Sequence, residues 1–251
     1  MRHNPIQFQP GLSLTQFLCR FGTEEQCTQA LFRIRWPRGF ECPECGSHQH
    51  CHLPARDLYQ CAVCHHQSSI KAGTIFQSTH LPLRIWFLAM HLLSQAKHSI
   101  SALELKRQLG VSYETAWNLK HKLLQAMLER EHGRMLGERV EVYDAYIGGQ
   151  RHGGKRGRGA PGKKPFLAAL QTSHGVHRVL YVKLQVMKNF KAKSVKAWAA
   201  CSLARTAGVV TDGMPGFRAI DEVVEHHEVK KMPGGWRNGS HPSFKWVNTI
   251  L

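Results

Sequence analysis

The chain has 251 residues, with 34 Lys and Arg against 17 Asp and Glu, which gives a formal net charge of +17 and a pI near 9.9. Its 42% hydrophobic content supports buried cores, so general disorder and fibrous repeats are excluded. The longest apolar stretch, Leu81 to Leu93, is interrupted by Pro82, Arg84 and His91 and falls short of a membrane span, and the N-terminus lacks an apolar signal core. The expected setting is a reducing cytoplasm, away from membranes, with a polyanion as partner.

Taken in chain order, residues 1–38 hold Thr23 three positions before Gln26, a capping box ahead of an apolar run that Pro37 ends, so one short helix is expected. Cys19 and Cys27 fit no metal-ligand spacing and are expected to be small buried side chains. Residues 39–75 are too poor in large apolar residues to fold on a core alone. Cys42 and Cys45, then Cys61 and Cys64, form two CxxC knuckles separated by fifteen residues, the spacing of a four-cysteine zinc ribbon. A redox motif explains one such pair and not two. Four thiolates close the coordination sphere of Zn2+, so the ion is expected to be structural, with Cys51, His48, His50, His52, His65 and His66 outside it.

Residues 76–132 change to helical spacing. Ser101 and Glu104 make a capping box, and the helix they open carries Leu103, Leu105 and Leu109 before Gly110. A second helix runs from Tyr113 to about Met127, with Ala116, Leu119, Leu123 and Met127 on one side and Tyr113, Asn118, Lys120, His121 and Lys122 on the other. With Leu83 to Leu93 as a third helix, this is either a helix-turn-helix whose second helix enters the major groove or a plain helical bundle. On the first reading, Ser112, Tyr113, Thr115 and Asn118 lie nearest DNA.

Residues 138–251 change again. Strands are expected over 140–149, 166–171 and 176–184, a helix over 193–203, and a short strand over 208–211 that delivers Asp212 at its end. That order suits an RNase H-like α/β sheet. Between the first two strands, Arg151, Lys155, Arg156, Arg158, Lys163 and Lys164 place six positive charges and no acid in fifteen residues, interleaved with glycines that let the backbone run along phosphates. Gly157, Gly159 and Gly162 match GxGxxG, but the run contains Pro161 and leads into a strand, so a dinucleotide fold is not expected. A strand-end Asp212 is a standard Mg2+ ligand, and Asp-Gly is equally turn chemistry.

Together, WPRGFECPECG (Trp36 to Gly46), YDAYIGG (Tyr143 to Gly149), GGKRGRGAPGKKPF (Gly153 to Phe166), VVTDGMPGFRAI (Val209 to Ile220) and FKWVNTIL (Phe244 to Leu251) resemble bacterial insertion-sequence transposases with an N-terminal zinc ribbon and an ISXO-like, RNase H-type integrase domain. The resemblance implies a multidomain α+β chain: an N-terminal helical segment (1–38), a four-cysteine zinc ribbon (39–75), a helix-turn-helix domain (76–132) and a truncated RNase H-like α/β domain (138–251). It also implies a DNA-nicking and strand-transfer enzyme, oligomeric on transposon-end and target DNA, using Mg2+ or Mn2+ held by two Asp and a third Asn or Glu. By motif the second carboxylate is Asp212 and the third ligand Asn248. The first falls on Tyr143, with Asp144 one residue along and, by strand alternation, aimed at the opposite face. The family continues past this motif with a further helix where the sequence stops at Leu251. The expectation is therefore a degenerate transposase that binds DNA and lacks transposition activity. The competing expectations are a non-enzymatic DNA-binding regulator and a zinc-ribbon factor acting through protein contacts.

Overall fold

The computed structural model describes residues 11–96, 99–148, 162–173, 178–230 and Trp246. These divide into two compact units at Leu128, inside one long helix. The first unit begins with two helices, α1 (Leu14–Phe21) and α2 (Glu24–Arg35), where the sequence predicts one. Each has a complete capping box, Ser13 with Gln16 and Thr23 with Gln26. Three short antiparallel strands follow, β1 (His50–Leu53), β2 (Leu58–Cys61) and β3 (Gln67–Ser69).

Helix α3 (Leu83–Gln95) starts at Pro82 without a cap of its own. The Glu24 carboxylate supplies it from α2, accepting from the backbone N–H of Leu83 at 2.7 Å and of Arg84 at 3.0 Å. Helix α4 (Ala102–Leu109) ends at Gly110 in the left-handed conformation at φ +67°, and α5 (Tyr113–His132) follows. A single core links these parts: Cys27 and Leu31 of α2, Trp36, Phe40, Tyr59 and Ile70 of the ribbon, and Leu83, Leu105, Leu119 and Leu123 of the later helices.

The second unit is built on a five-stranded sheet of β4 (Arg139–Ile147), β5 (Lys164–Thr172), β6 (Val179–Val186), β7 (Gly208–Asp212) and β8 (His226–Lys230). Its order is β6-β5-β4-β7-β8. The first three strands form an antiparallel meander, while β7 and β8 run parallel to β4. The connection from β6 to β7 carries α6 (Ala192–Ser202), and a 3-10 turn (Pro215–Glu222) lies between β7 and β8. Val140 and Val142 of β4, Leu167 and Ala169 of β5 and Val209 of β7 pack against Val195, Trp198 and Ala199 of α6 and Phe217 and Ile220 of the turn. On the opposite face, Phe166, Ala168 and Leu170 pack with Trp246, joined by Tyr143 and Ala145. No helix among the described residues is long and apolar enough to cross a membrane.

Candidate functional site

The ribbon site is assembled by two matching turns. In the first knuckle Gly46, at φ +69°, donates its N–H to the Cys42 carbonyl at 2.9 Å. In the second, His65, at φ +58°, donates to the Cys61 carbonyl at 3.2 Å. These turns bring Cys42 Sγ to 3.5 Å from Cys64 Sγ and Cys45 Sγ to 3.6 Å from Cys61 Sγ. All four sulfurs lie within 4.8 Å of one another. Tetrahedral sulfurs each about 2.3 Å from zinc are separated by about 3.8 Å, so the donor set and its size fit Zn2+.

Four thiols this close resist ionising together. The Cys61 thiol is held down to about 6, chiefly by the backbone N–H of Cys64, with that of Val63 adding to it against desolvation. Cys64 is pushed up to about 12; the backbone N–H of His66 pulls it down, and desolvation with the sulfurs of Cys45, Cys42 and Cys61 outweighs that pull. A divalent cation removes this conflict by compensating several thiolates at once. The neighbouring histidines have other roles: His65 makes the turn, His48 Nδ1 lies 2.8 Å from the Phe40 carbonyl, and His66 faces Glu44 at 3.9 Å. Cys27 is buried as expected, whereas Cys19 is exposed.

In the helical pair, Ser101 Oγ accepts from the Glu104 N–H at 3.0 Å, but the Glu104 side chain turns toward Gln108 and Arg107 instead of closing a box. Ser112 Oγ likewise caps α5, accepting from the Thr115 N–H at 3.1 Å and meeting Thr115 Oγ1 at 2.8 Å. Asn118 and Lys122, four residues apart, share one outer face of α5, and Tyr113 and Lys120, seven apart, share another. Trp117, 44% exposed, stacks on His121 with ring centroids 3.8 Å apart. Its position in an otherwise polar, basic stretch hid it from the pattern. Of the basic loop, Lys164 begins β5 and Lys163 directly precedes it; Arg151, Lys155, Arg156 and Arg158 lie outside the described residues.

At the end of β7, Asp212 is 7% exposed, and its Oδ1 accepts from the Met214 N–H at 3.1 Å, which is the turn chemistry its Asp-Gly sequence allows. The β4–β7 register pairs Val140 with Val209 and Val142 with Thr211. Side chains alternate, so Thr211 shares the helix-covered face with Val142, and Asp212 shares the opposite face with Tyr143. By the same alternation Asp144 lies on the helix-covered face, turned away from Asp212. Glu141 shares the Tyr143 face, but it lies beside Val210 and is 2% exposed. Asn248 lies outside the described residues.

Among the described residues, the four ribbon cysteines are the group of three or more His, Cys, Asp or Glu placed to hold a metal. The described end of the sheet thus does not fit a two-ion site, because a phenol stands where a carboxylate is needed. A cavity of about 650 Å3 lies elsewhere, at the start of β4, β7 and β8, lined by Glu138, Arg139, Gly208 and His226.

On the helix-covered face, next to Asp212, lies a polar chain without a clear signal in the sequence. Thr211, fully buried, donates Oγ1–H to the Asp212 carbonyl at 3.1 Å. His227, with a side chain 2% exposed, places Nε2 2.8 Å from Thr211 Oγ1 and Nδ1 2.5 Å from Asp221 Oδ1.

A four-cysteine ribbon, a helical segment and a mixed α/β sheet define a zinc-ribbon protein carrying a separate α/β domain. Residues 22–67 match the family described as transposase zinc-ribbon domain, and residues 135–251 match the ISXO2-like transposase domain. The chain belongs to the insertion-sequence transposases with an N-terminal zinc ribbon. It is 25% identical over 220 residues to an uncharacterized protein in transposable element ISH50 of Halobacterium salinarum, covering 80% of this chain and 71% of that one. Among solved structures it is similar to the Mos1 strand transfer complex (14% identity, TM-score 0.29, 66% of this chain and 63%, less than two thirds, of that one). It is also similar to a pre-cleavage Mos1 transpososome (12% identity, TM-score 0.23, 91% and 85%). Neither structural likeness is high enough to bear on the fold.

Proposed function

We propose that this protein is by descent a DNA transposase of an insertion sequence, that it binds transposon-end DNA, and that strand cleavage is impaired. The sheet order β6-β5-β4-β7-β8, with an antiparallel meander followed by two parallel strands, supports an RNase H-type catalytic domain. Helices α4 and α5, joined through Gly110, support a helix-turn-helix in which Tyr113, Asn118, Lys120 and Lys122 face DNA. Arg151, Lys155, Arg156, Arg158, Lys163 and Lys164 supply phosphate contacts, so affinity falls steeply with salt. Target DNA and a homo-oligomeric state on DNA complete the reading, with Asp212 and Asn248 as the retained ligands of Mg2+ or Mn2+.

The observation that carries the impairment is Tyr143 on the face of Asp212, with Asp144 on the other. In the family's chemistry the ions activate water and then a 3′-hydroxyl against a phosphodiester. A single retained Asp does not assemble that pair. The test is a nicking assay on terminal-repeat DNA with Mg2+ or Mn2+. Salt-sensitive binding without nicking is expected. Nicking that disappears in Asp212→Ala overturns the impairment, and binding indifferent to salt overturns the DNA reading. Cleavage recovered by Tyr143→Asp separates an impaired transposase from a regulator whose sheet is scaffold only.

A further inference from the structure

Among the described residues, Tyr143 marks the disagreement between the sheet end and a two-ion site, while Asp212 itself is held at both its carbonyl and its carboxylate. We infer that His227 is the positioning residue of Asp212, acting through Thr211, and that Tyr143, which shares the Asp212 face, is the strand position at which this face departs from a divalent-ion site. The inference rests on the transposase reading above.

The direction of each hydrogen bond follows from counting protons. The Asp212 carbonyl can only accept, so the single proton of the Thr211 hydroxyl goes to it at 3.1 Å. Thr211 Oγ1 is then the acceptor for His227 Nε2–H at 2.8 Å. The Asp221 carboxylate can likewise only accept, so His227 Nδ1–H donates to it at 2.5 Å, and in this arrangement both ring nitrogens carry a proton. The order Asp, His, hydroxyl is that of a nucleophile triad, but Thr211 is fully buried and its proton is already committed to the backbone. The chain is therefore a strut. It fixes the peptide plane after Asp212 from the helix-covered face, while the Met214 N–H fixes the carboxylate at 3.1 Å. Its members come from three elements, β7, the 3-10 turn and β8, so the strand end is held in place from outside its own strand. Groups that orient a metal ligand in this way typically change metal affinity about 10- to 100-fold when removed.

The experiment measures Mn2+ binding by calorimetry and electron paramagnetic resonance on the zinc-loaded full chain carrying Tyr143→Asp. A new Mn2+ site is expected that Asp212→Asn abolishes. Adding His227→Phe, which keeps an aromatic ring of similar size, weakens that site about 10- to 100-fold. Thr211→Val, which removes one hydroxyl, weakens it similarly, and the two together are no worse than either alone. The His227 Nε2 proton gives a slowly exchanging resonance in the parent chain that Thr211→Val removes, which a packing role does not predict. If Tyr143→Asp creates no Asp212-dependent site, the catalytic-domain reading fails and this inference fails with it. If that site forms and both His227→Phe and Thr211→Val leave its affinity within about twofold, the positioning role alone is overturned. If His227→Phe does not fold, as judged by zinc content and melting, Thr211→Val decides the question.

Discussion

The ribbon and the end of the β4–β7 pair both gather ligands for a metal, and they do it in opposite ways. In the ribbon each pair of cysteines is three residues apart and a local turn aims both sulfurs, so the short spacing carries nearly all of the geometry. At the sheet end the candidate ligands lie on strands far apart in sequence, and the register of a parallel pair decides which of them meet. A one-residue offset, harmless in a loop, sends Asp144 to the wrong side of the sheet. A site made by turns tolerates drift around it, whereas a site made by register is lost at one position.

The sharpest way to break this comparison is to remove the ribbon metal. The ribbon shares one core with α2 and α3–α5, so its loss is not local. Chelation, or Cys61→Ser, is expected to abolish the near-ultraviolet signal of Trp36 and Tyr59 and to weaken DNA binding at least about tenfold, since structural zinc binding is worth about 10–16 kcal/mol. If DNA affinity survives chelation, the common core is not what holds the helices. Acid acts on the same site. Cys61 lies at about 6 in the fold against an ordinary 9.0, so its stabilisation is full above 9.0 and is lost as pH falls through 6. Zinc release measured with a chromophoric chelator should rise between about pH 7 and 5.

The second prediction sharpens the register side. In a Tyr143→Asp background, Asp144→Asn should change Mn2+ affinity less than about twofold, because alternation puts Asp144 on the helix-covered face. A loss of about tenfold shows that the strand slips or bulges at this point, and that Asp144 serves after all.

What the sequence makes legible follows the same division. The knuckles, the Gly110 turn and the strand that ends in Asp212 each depend on residues close together, and each is readable. Helix α1 carries the same signal as α2, a capping box of Ser13 and Gln16, but with Phe17 its one buried residue it has no longer apolar run to set it apart from its neighbour. Strand β8 is not readable, because His226, His227, Glu228 and Lys230 read as a polar loop, and only pairing with β7 makes them a strand. The Asp221–His227–Thr211 chain is invisible for the same reason. The turning away of Asp144 is foreseeable, since it needs only the period of two in a single strand.

The third prediction concerns a helix start that neither unit's motifs announce. Glu24 caps α3 from α2, so Glu24→Gln should cost about 1 kcal/mol and Glu24→Ala somewhat more, read as a melting decrease of a few degrees. Loss of no stability in either variant shows that water caps Leu83 and Arg84 equally well.

The smallest expected effect lies in the sheet unit, at Lys183. Its side chain is buried on β6 and donates Nζ–H to the carbonyls of Arg134 at 2.9 Å and His132 at 3.4 Å, satisfying acceptors left over at the end of α5. Desolvation lowers its pKa from 10.5, against the pull of Glu131 and Cys201. A lysine lowered in the fold binds its proton less firmly there than in the unfolded chain, so stability rises with pH in the window just below 10.5. Lys183→Met removes both the buried charge and the two hydrogen bonds. These oppose each other, so the net loss should be about 1 kcal/mol, and the alkaline rise in stability should vanish. A rise that persists in Lys183→Met assigns it to another group. A loss several times larger shows that the carbonyls at the end of α5 have no other partner, and that this lysine fixes how α5 ends.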